Sequence, residues 1–303
     1  MEQLKLPPTV CSGTLTDIRI EDLMRYYFFG DIHGNEYALE RCLNHLKELR
    51  ADGVYCLGDI VGWLPFGDRT LKRIKSLNVP TVAGNHDLLV AGLFTDHPQQ
   101  LDRMQASAYN AGLLSTIPGA GDYLLGLPLL IEEERFTLTH HSPFHLPRQG
   151  RAITIESFNY LDKAAIVESL ESWRNYPKRI ILSGHDHIPA VYELPDADHL
   201  PRFEDVIIHQ SQKIGPLTVR LKPHSRYWIK AGSVGGPYRD GVVVCNSALL
   251  DTDEATITLF RLPYPLQKLH QELDNNRFCK NLPTLKRYIE LLRDNLNGSK
   301  EGK

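Results

Sequence analysis

No stretch of the sequence is long and apolar enough to cross a membrane. The longest mostly apolar run, residues 124–131, is interrupted by Gly126 and Pro128 and is far shorter than the roughly 20 residues that a membrane-spanning helix needs. Residues 1–14 contain Glu2 and two prolines and have no apolar core, so they are not typical of a secretory signal. We therefore expect a cytoplasmic protein with no membrane partner.

The sequence also lacks an excess of charge of one sign, and it has few cysteines. Its 303 residues include 34 lysines and arginines against 37 aspartates and glutamates, a formal net charge of −3. Because binding to a nucleic-acid backbone normally needs a strongly basic domain, we expect no strong nucleic-acid binding. The five cysteines contain no CxxC pair. Their spacing gives no sign of the common zinc and redox motifs and predicts free thiols.

An alternation of short apolar runs and helical patterns fills the first part of the chain. Residues Arg25–Phe29, 54–57 and 79–83 have the composition of strands, and each run is followed by glycine and an aspartate or asparagine. The apolar spacing predicts helices over residues 36–50 and 68–77 between them. This order is typical of parallel βαβ units, in which polar residues after the strands gather along one edge of the sheet. We expect the functional site at that edge.

The later part of the chain has a different pattern. Six short β runs between residues 190 and 260 are separated by turns rich in proline, glycine and aspartate, which predicts a second, mainly antiparallel sheet. We predict an α/β fold with layers α/β/β/α, two packed mixed sheets flanked by helices, over residues 1–265. Residues 266–303 are predicted to form a C-terminal helical extension with a charged tail.

Five predicted strands end in side chains of similar chemistry. These are Asp31-Ile32-His33, Asp59, Asn85-His86-Asp87, His140 and His185-Asp186-His187. Carboxylates, imidazoles and amide oxygens bind divalent metals such as Mn, Fe, Zn and Co. Each group alone is more often a turn or a cap, but five such strand ends together predict a metal site. The number of ligands suggests two ions, and Asp59, on the middle strand of three, is the natural bridge between them.

These residues resemble, in order, the motifs of the calcineurin-like metallophosphoesterase superfamily. The motifs are Gly30-Asp31-Ile32-His33-Gly34-Asn35, Gly58-Asp59-Ile60-Val61-Gly62, Gly84-Asn85-His86-Asp87, His140-His141-Ser142-Pro143 and Gly184-His185-Asp186-His187. Residues 231–237, with Arg239-Asp240-Gly241, further resemble the GSVGQPRDG signature of the small bacterial and archaeal phosphoesterase branch. The resemblance covers about residues 25 to 262.

The resemblance implies a role for each matching residue. One ion would be bound by Asp31, His33 and His187, the other by Asn85, His140 and His185, with Asp59 as the bridge. A metal-bridging hydroxide would attack phosphorus in line, and His86 would stabilise or protonate the leaving oxygen. Asp87 would support the loop that positions Asn85 and His86. Manganese is the first expectation for both ions, and Fe, Zn, Co, Ni and Mg are alternatives.

The sequence departs from the family pattern at several positions. His141 replaces the usual glycine and either points away from the site or enters the substrate pocket, while Tyr238 is an extra residue that shifts Arg239. Asp186 replaces a common threonine, and we interpret it as a solvated turn residue. Arg148 and Arg151 are candidates for a phosphate clamp, because arginine matches phosphate oxygens. His141, Arg148 and Arg239 are the candidate substrate residues.

The sequence predicts a dinuclear metal-dependent phosphoesterase that hydrolyses a phosphomonoester or phosphodiester, either a small molecule or a nucleotide. One alternative is a phosphoprotein phosphatase of the Ser/Thr type in signalling, although the Asp-Arg-Gly of that group is absent after Gly62. A second alternative is a non-catalytic interaction scaffold with the same fold. The presence of His86 and of the complete ligand set favours the enzyme over the scaffold.

Overall fold

Two mixed β-sheets form the centre of the protein in a computed structural model, which describes residues 24–147 and 151–301. The strands are β1 (Arg25–Phe29), β2 (Gly53–Cys56), β3 (Leu130–Glu132), β4 (Phe136–Thr139), β5 (Ile180–Ser183), β6 (Ala190–Pro195), β7 (Ile207–His209), β8 (Gly215–Arg220), β9 (Ser225–Lys230), β10 (Cys245–Asp251) and β11 (Thr256–Leu262). The helices are α1 (Glu36–Leu49), α2 (Gly67–Leu77), α3 (Asn85–Val90), α4 (Leu101–Leu114), α5 (Ala120–Leu125), α6 (Lys163–Asn175), α7 (Leu266–Asn275), α8 (Arg277–Asn281) and α9 (Pro283–Glu301).

Each sheet combines parallel and antiparallel pairs. The first has the order β2-β1-β10-β11-β8, and β1 runs parallel to β2 and antiparallel to β10. The second has the order β3-β4-β5-β9-β6-β7, and its central strands β4, β5 and β9 are parallel. The carboxyl ends of β1 and β2 therefore lie at one edge of the first sheet, and those of β4, β5 and β9 lie at one edge of the second.

The two faces of each strand contact different layers of the apolar core. In β1, Phe28 packs between the sheets, whereas Tyr27 and Phe29 face helix α1, as the period of two in a strand requires. Helix α6 covers the outer face of the second sheet, where Trp173 and Trp228 are fully buried. Helices therefore flank the pair of sheets on both sides, and the prediction of a layered α/β/β/α fold is confirmed.

Two details of the predicted strands are wrong. Residues 79–83 form no strand, because Pro80 has no N–H for a ladder, and only a single bridge joins Cys56 to Thr81. The six C-terminal β runs do not build a sheet of their own: β8, β10 and β11 join β1 and β2, while β6, β7 and β9 join β3 to β5. Local periodicity predicts that a segment is a strand but not which distant strand pairs with it.

The C-terminal helices α7 to α9 pack against the main core. Leu269, Leu273, Leu285 and Leu292 are fully buried in the same apolar cluster as the residues of α1. The domain boundary after residue 265 stays a prediction. Four cysteines are buried and free, whereas Cys11 lies outside the described residues. Within the described part of the chain, no helix has both the length and the apolar character that crossing a membrane would require.

Candidate metal centre

Five of the seven predicted metal ligands have a left-handed backbone. Their φ angles lie between 50° and 66°, at Asp31, His33, Asp59, His185 and His187. This conformation costs an L-residue about 1–2 kcal/mol, and residues held in it cluster at functional sites. This strain sets the five positions apart from ordinary turns. The loops after β1, β2 and β5 turn sharply at these residues and direct their side chains into one space.

The loops that carry the ligands are joined by backbone hydrogen bonds. The amide groups of Ile32 and His33 both donate to the carbonyl oxygen of Asp59, at 2.8 Å each. Two glycines make room for the carboxylates: a Cβ at Gly184 would lie 2.6 Å from Oδ2 of Asp31, and one at Gly84 would collide with Oδ1 of Asp59. The glycines of these motifs therefore serve the packing of the ligands.

The first ligand group consists of Asp31, His33 and His187, and all three are buried. Nε2 of His187 lies 3.1 Å from Nε2 of His33 and 3.4 Å from Oδ1 of Asp31. Nδ1 of His187 donates to the carbonyl oxygen of Pro237 at 2.8 Å. This bond leaves the lone pair of Nε2 free to face the group, as in metal sites whose histidines are oriented by a second hydrogen bond.

The second group consists of Asp59, His140 and His185. Nε2 of His140 lies 3.3 Å from Oδ2 of Asp59 and 3.3 Å from Nδ1 of His185. Nδ1 of His140 donates to the carbonyl oxygen of Leu57 at 2.6 Å, which again leaves Nε2 available as a ligand. Oδ1 of Asn85 is also buried and has no hydrogen-bond partner.

Asp59, a member of the second group, also lies close to the first group. Its Oδ1 accepts a bond from the amide of His86 at 2.8 Å, whereas its buried Oδ2 has no hydrogen-bond partner. That oxygen is 3.6 Å from Nε2 of His33 in the first group and 3.3 Å from Nε2 of His140 in the second. A buried carboxylate oxygen without a donor is costly, and divalent cations on either side would satisfy it. The nitrogen and oxygen ligands present suit divalent cations.

The ionisable side chains of the site shift one another's pKa values. Burial opposes the charge of His140, but the Asp59 carboxylate prevails and raises the pKa of His140 to about 10. Burial likewise opposes ionisation of Asp59, and His140 and His86 lower the pKa of that carboxyl well below its usual range. For His33 and His185, burial dominates and lowers the pKa values well below 6.5. The rings of His33 and His185 are therefore neutral, as metal ligands must be.

Comparison with known proteins gives the family. The model of the calcineurin-like phosphoesterase family matches residues 24–209, more than half of the chain. The chain belongs to this family. Membership implies a phosphoester hydrolase in a metal-dependent family. The narrower assignment to the small bacterial and archaeal branch stays a prediction.

Similar proteins cover most of this phosphoesterase. An uncharacterized protein of Methanocaldococcus jannaschii is 28% identical over 254 residues, 82% of this chain and 90% of that protein. The crystal structure of a metallophosphoesterase from Sphaerobacter thermophilus has a TM-score of 0.65 at 24% identity, over 84% of this chain and 93% of that one. A hypothetical protein from Pyrococcus horikoshii has a TM-score of 0.57 at 18% identity, over 88% and 97%. These two structures establish the fold alone.

His86 begins helix α3 and faces the same space as the ligands. Its ring centre is 4.6 Å from that of His33, edge to face, and its Nδ1 is buried without a hydrogen-bond partner. One of its ring nitrogens lies within 4.8 Å of ligand atoms of His33 and Asp59. This geometry allows either a metal ligand or a group that meets the substrate, so the catalytic role of His86 stays a prediction.

Asp87 joins two ligand loops of the phosphoesterase. Its Oδ1 accepts from the amides of Ile60 at 2.8 Å and Val61 at 3.3 Å, and its Oδ2 accepts from the amide of Gly84 at 3.1 Å. Burial and the nearby Asp59 raise the pKa of Asp87 to about 7. The side chain ties the loop after β2 to the start of α3, and its role in supporting Asn85 and His86 stays a prediction.

The candidate substrate residues have different surroundings. His141 is buried, with its ring centre 4.8 Å from that of Phe158 and 6.4 Å from that of His185. Burial is the main reason that its pKa falls to about 3. Arg148 lies outside the described residues, so its place in the site stays a prediction. Arg239 is exposed and donates from Nη2 to the hydroxyl of Tyr160 at 2.6 Å.

The interpretation of Asp186 as a solvated turn residue is wrong. Its Oδ2 lies 3.3 Å from Nζ of Lys230, and the two side chains are only 11% and 6% exposed. Its Oδ1 accepts from the amide of Leu161 at 2.8 Å. The ion pair holds the loop between His185 and His187, and the second bond attaches this loop to the segment that carries Tyr160.

Tyr160 is a rim residue that the sequence did not reveal. Its ring stacks on the imidazole of His185, with centres 4.5 Å apart and planes 13° apart. The guanidinium carbon of Arg239 lies 4.1 Å from the centre of the same ring, and Tyr160 is 41% exposed. The segment before α6 has no periodic pattern, so only the folded chain brings this tyrosine to the edge of the ligand groups.

Proposed function

We propose that the protein is a dinuclear metal-dependent phosphoesterase that hydrolyses a phosphomonoester or phosphodiester, either a small molecule or a nucleotide, by in-line displacement at phosphorus. The observation that carries this proposal is the unpartnered Oδ2 of Asp59 between two groups of buried ligands. Manganese is the ion that we propose first. We also propose that the protein works in the cytoplasm.

The predicted ligands and His86 would have different roles in this reaction. Asp31, His33 and His187 would hold one ion, Asn85, His140 and His185 the other, and Asp59 both. When bound, the ions would supply a hydroxide nucleophile near neutral pH and offset negative charge on the phosphoryl oxygens. His86 would stabilise or protonate the leaving oxygen. Its pKa is lowered mainly by burial, which makes its protonated ring a stronger acid.

The first experiment measures metal content and substrate preference. Protein treated with a chelator and reloaded with Mn²⁺ should bind close to two equivalents. Activity should be compared for p-nitrophenyl phosphate, its bis ester, cyclic nucleotides, dinucleoside polyphosphates and a phosphopeptide. Turnover of a small ester supports the proposal, and turnover of the phosphopeptide alone would indicate a phosphoprotein phosphatase. Two bound ions with no activity on any ester would favour the interaction scaffold instead.

The second experiment separates the role of His86 from metal binding. If His86 acts on the leaving oxygen, His86→Ala should retain both ions and slow hydrolysis of an alkyl phosphate by about 10²–10⁴-fold. The loss should be smaller for p-nitrophenyl phosphate, whose leaving group needs no proton. His199→Ala is the control, since His199 is an exposed histidine paired with Asp205. Loss of metal from His86→Ala would instead make this residue a ligand.

A further inference from the structure

Arg103 is a cation that the ligand motifs do not include. It lies in the first turn of α4, and its side chain is 22% exposed. Nε and Nη2 donate to the two oxygens of Asp96, the second bond at 2.6 Å. The side chain of Asp96 is completely buried. The guanidinium is therefore held along one edge by a carboxylate that cannot move into solvent.

The segment that carries Asp96 reaches the wall of the metal centre. The ring of Phe94 is 6.1 Å from that of Phe158. Phe158 in turn lies 6.1 Å from the ring of the predicted ligand His140. Helix α4 itself packs against α3, which begins with Asn85 and His86. Arg103 thus approaches the site from the side of His86.

The charges show the same proximity. Burial opposes the charge of Arg103, while Asp96 raises its pKa and Tyr160 and Asp59 add to that effect. The guanidinium is a cation on the side of the centre where α4 packs against α3. It adds positive charge to the region in which a phosphate ester would meet His86.

The opposite edge of this guanidinium is free to bind a ligand. An arginine has five N–H donors in a fork, and Asp96 uses only the Nε and Nη2 edge. Nη1 has no hydrogen-bond partner among the residues that the structure describes. A fork of this kind matches two oxygens of a phosphate. Arg239 is less suited to this role, because it is exposed and its Nη2 donates to Tyr160.

We propose that Arg103, oriented by Asp96, binds a phosphoryl oxygen of the substrate beside His86 and so favours phosphomonoesters over phosphodiesters. The inference rests on the proposed phosphoesterase function. A monoester carries close to two negative charges at neutral pH, because its second pKa is about 6, whereas a diester carries one. A fixed cation at the phosphoryl group therefore stabilises the bound monoester more strongly.

The test compares two substrates that share a leaving group. Arg103→Gln should lower kcat/KM of the Mn²⁺-loaded protein for p-nitrophenyl phosphate by about 10- to 100-fold, the value of a hydrogen bond between charged groups. The loss for bis(p-nitrophenyl) phosphate should be less than about threefold. The inhibition constant of inorganic phosphate should rise by a factor similar to the loss for the monoester, with both ions retained. The kcat/KM of Arg103→Lys for p-nitrophenyl phosphate should lie between those of the unmutated protein and Arg103→Gln, since lysine keeps the charge without the fork.

Two further variants guard against a purely structural effect. Arg103→Gln leaves a buried carboxylate without its cation, so the double variant Asp96→Asn/Arg103→Gln removes both charges and should show the same change in substrate preference. Arg73→Gln is the matched control, because Arg73 forms an ion pair with Glu40 on the outer helices. It should behave like the unmutated protein.

The outcomes separate this inference from the proposed function. Unchanged kinetics in the folded single and double variants would overturn the role of Arg103 while the phosphoesterase stands. Equal losses on both esters, or loss of metal, would assign the residue to structure alone and would also overturn it. If the unmutated protein hydrolyses no ester, the proposed function fails. Calorimetric titration of the Mn²⁺-loaded protein with inorganic phosphate then decides the inference, which requires weaker binding by the Arg103 variants.

Discussion

Replacing Asp59 by asparagine should remove both ions, whereas loss of any terminal ligand should spare one. The amide has the shape of the carboxylate, so its oxygen can still accept from the amide of His86, now 2.8 Å from Oδ1. An NH₂ group would then replace Oδ2, which lies 3.6 Å and 3.3 Å from Nε2 of His33 and His140. The substitution thus removes one negative charge and places a donor between the two ligand groups.

The size of the effect follows from the burial of this carboxylate. Asp59 is 1% exposed, so solvent screens its charge little. Removing one partner of a buried ion pair costs about 3–5 kcal/mol, which is two to nearly four powers of ten in affinity. We expect the dissociation constants of both ions to rise by about 10²- to 10⁴-fold, and activity to fall with them.

Competition with a chelating dye for Mn²⁺ would measure these constants. His187→Ala should lose the ion of the first group and keep the other, and His140→Ala should do the reverse. Asp68→Asn is the control, because Asp68 lies at the start of α2 and pairs only with Lys72 in the described structure. Two ions bound to Asp59→Asn with affinity within threefold of the unmutated protein would refute the bridging position of Asp59.

Two further predictions concern packing and charge around the centre. Gly84→Ala should lose metal and activity, because a methyl group there collides with the carboxylate between the ligand groups, whereas Gly112→Ala, with open space around it in helix α4, should raise stability by about 0.5–1 kcal/mol. Urea unfolding and metal analysis would check both, and a metal-replete Gly84→Ala would contradict the packing argument. Lys230→Met should cost about 3 kcal/mol, because it leaves a partly buried carboxylate unpaired, whereas Lys72→Met on the surface should cost less than about 1 kcal/mol. Equal costs in urea unfolding would show that burial adds nothing to the first pair.

The sequence predicted the layered fold and the ligand candidates because both depend on local patterns. Alternating β runs and helices mark the elements, and the motifs follow the strands within one to four residues. Glycines such as Gly84 and Gly184 stand where a carboxylate needs their space. These signals are short in range, so a single sequence carries them.

The parts that the sequence did not predict depend on contacts between distant segments. The pairing of β1 with β10 joins residues more than 200 positions apart, and nothing in the local pattern of either strand specifies the other. Tyr160 reaches the ligand His185 from an irregular segment that carries no motif. Pro80 was visible in the sequence, but its effect on the strand predicted at residues 79–83 depends on the pairing of this segment with Cys56.

The central position of β1 has a consequence for how the protein folds during its synthesis on the ribosome. Arg25 in β1 pairs with Asp251 in β10, so this strand has only β2 as a neighbour until most of the chain has been made. At about 5–20 residues per second, the partner strand emerges on the order of 10–45 seconds later. During that interval one edge of β1 has no partner strand, which makes β1 a natural binding segment for chaperones. Translation speed, as well as sequence, should therefore influence how much of this enzyme reaches its folded form.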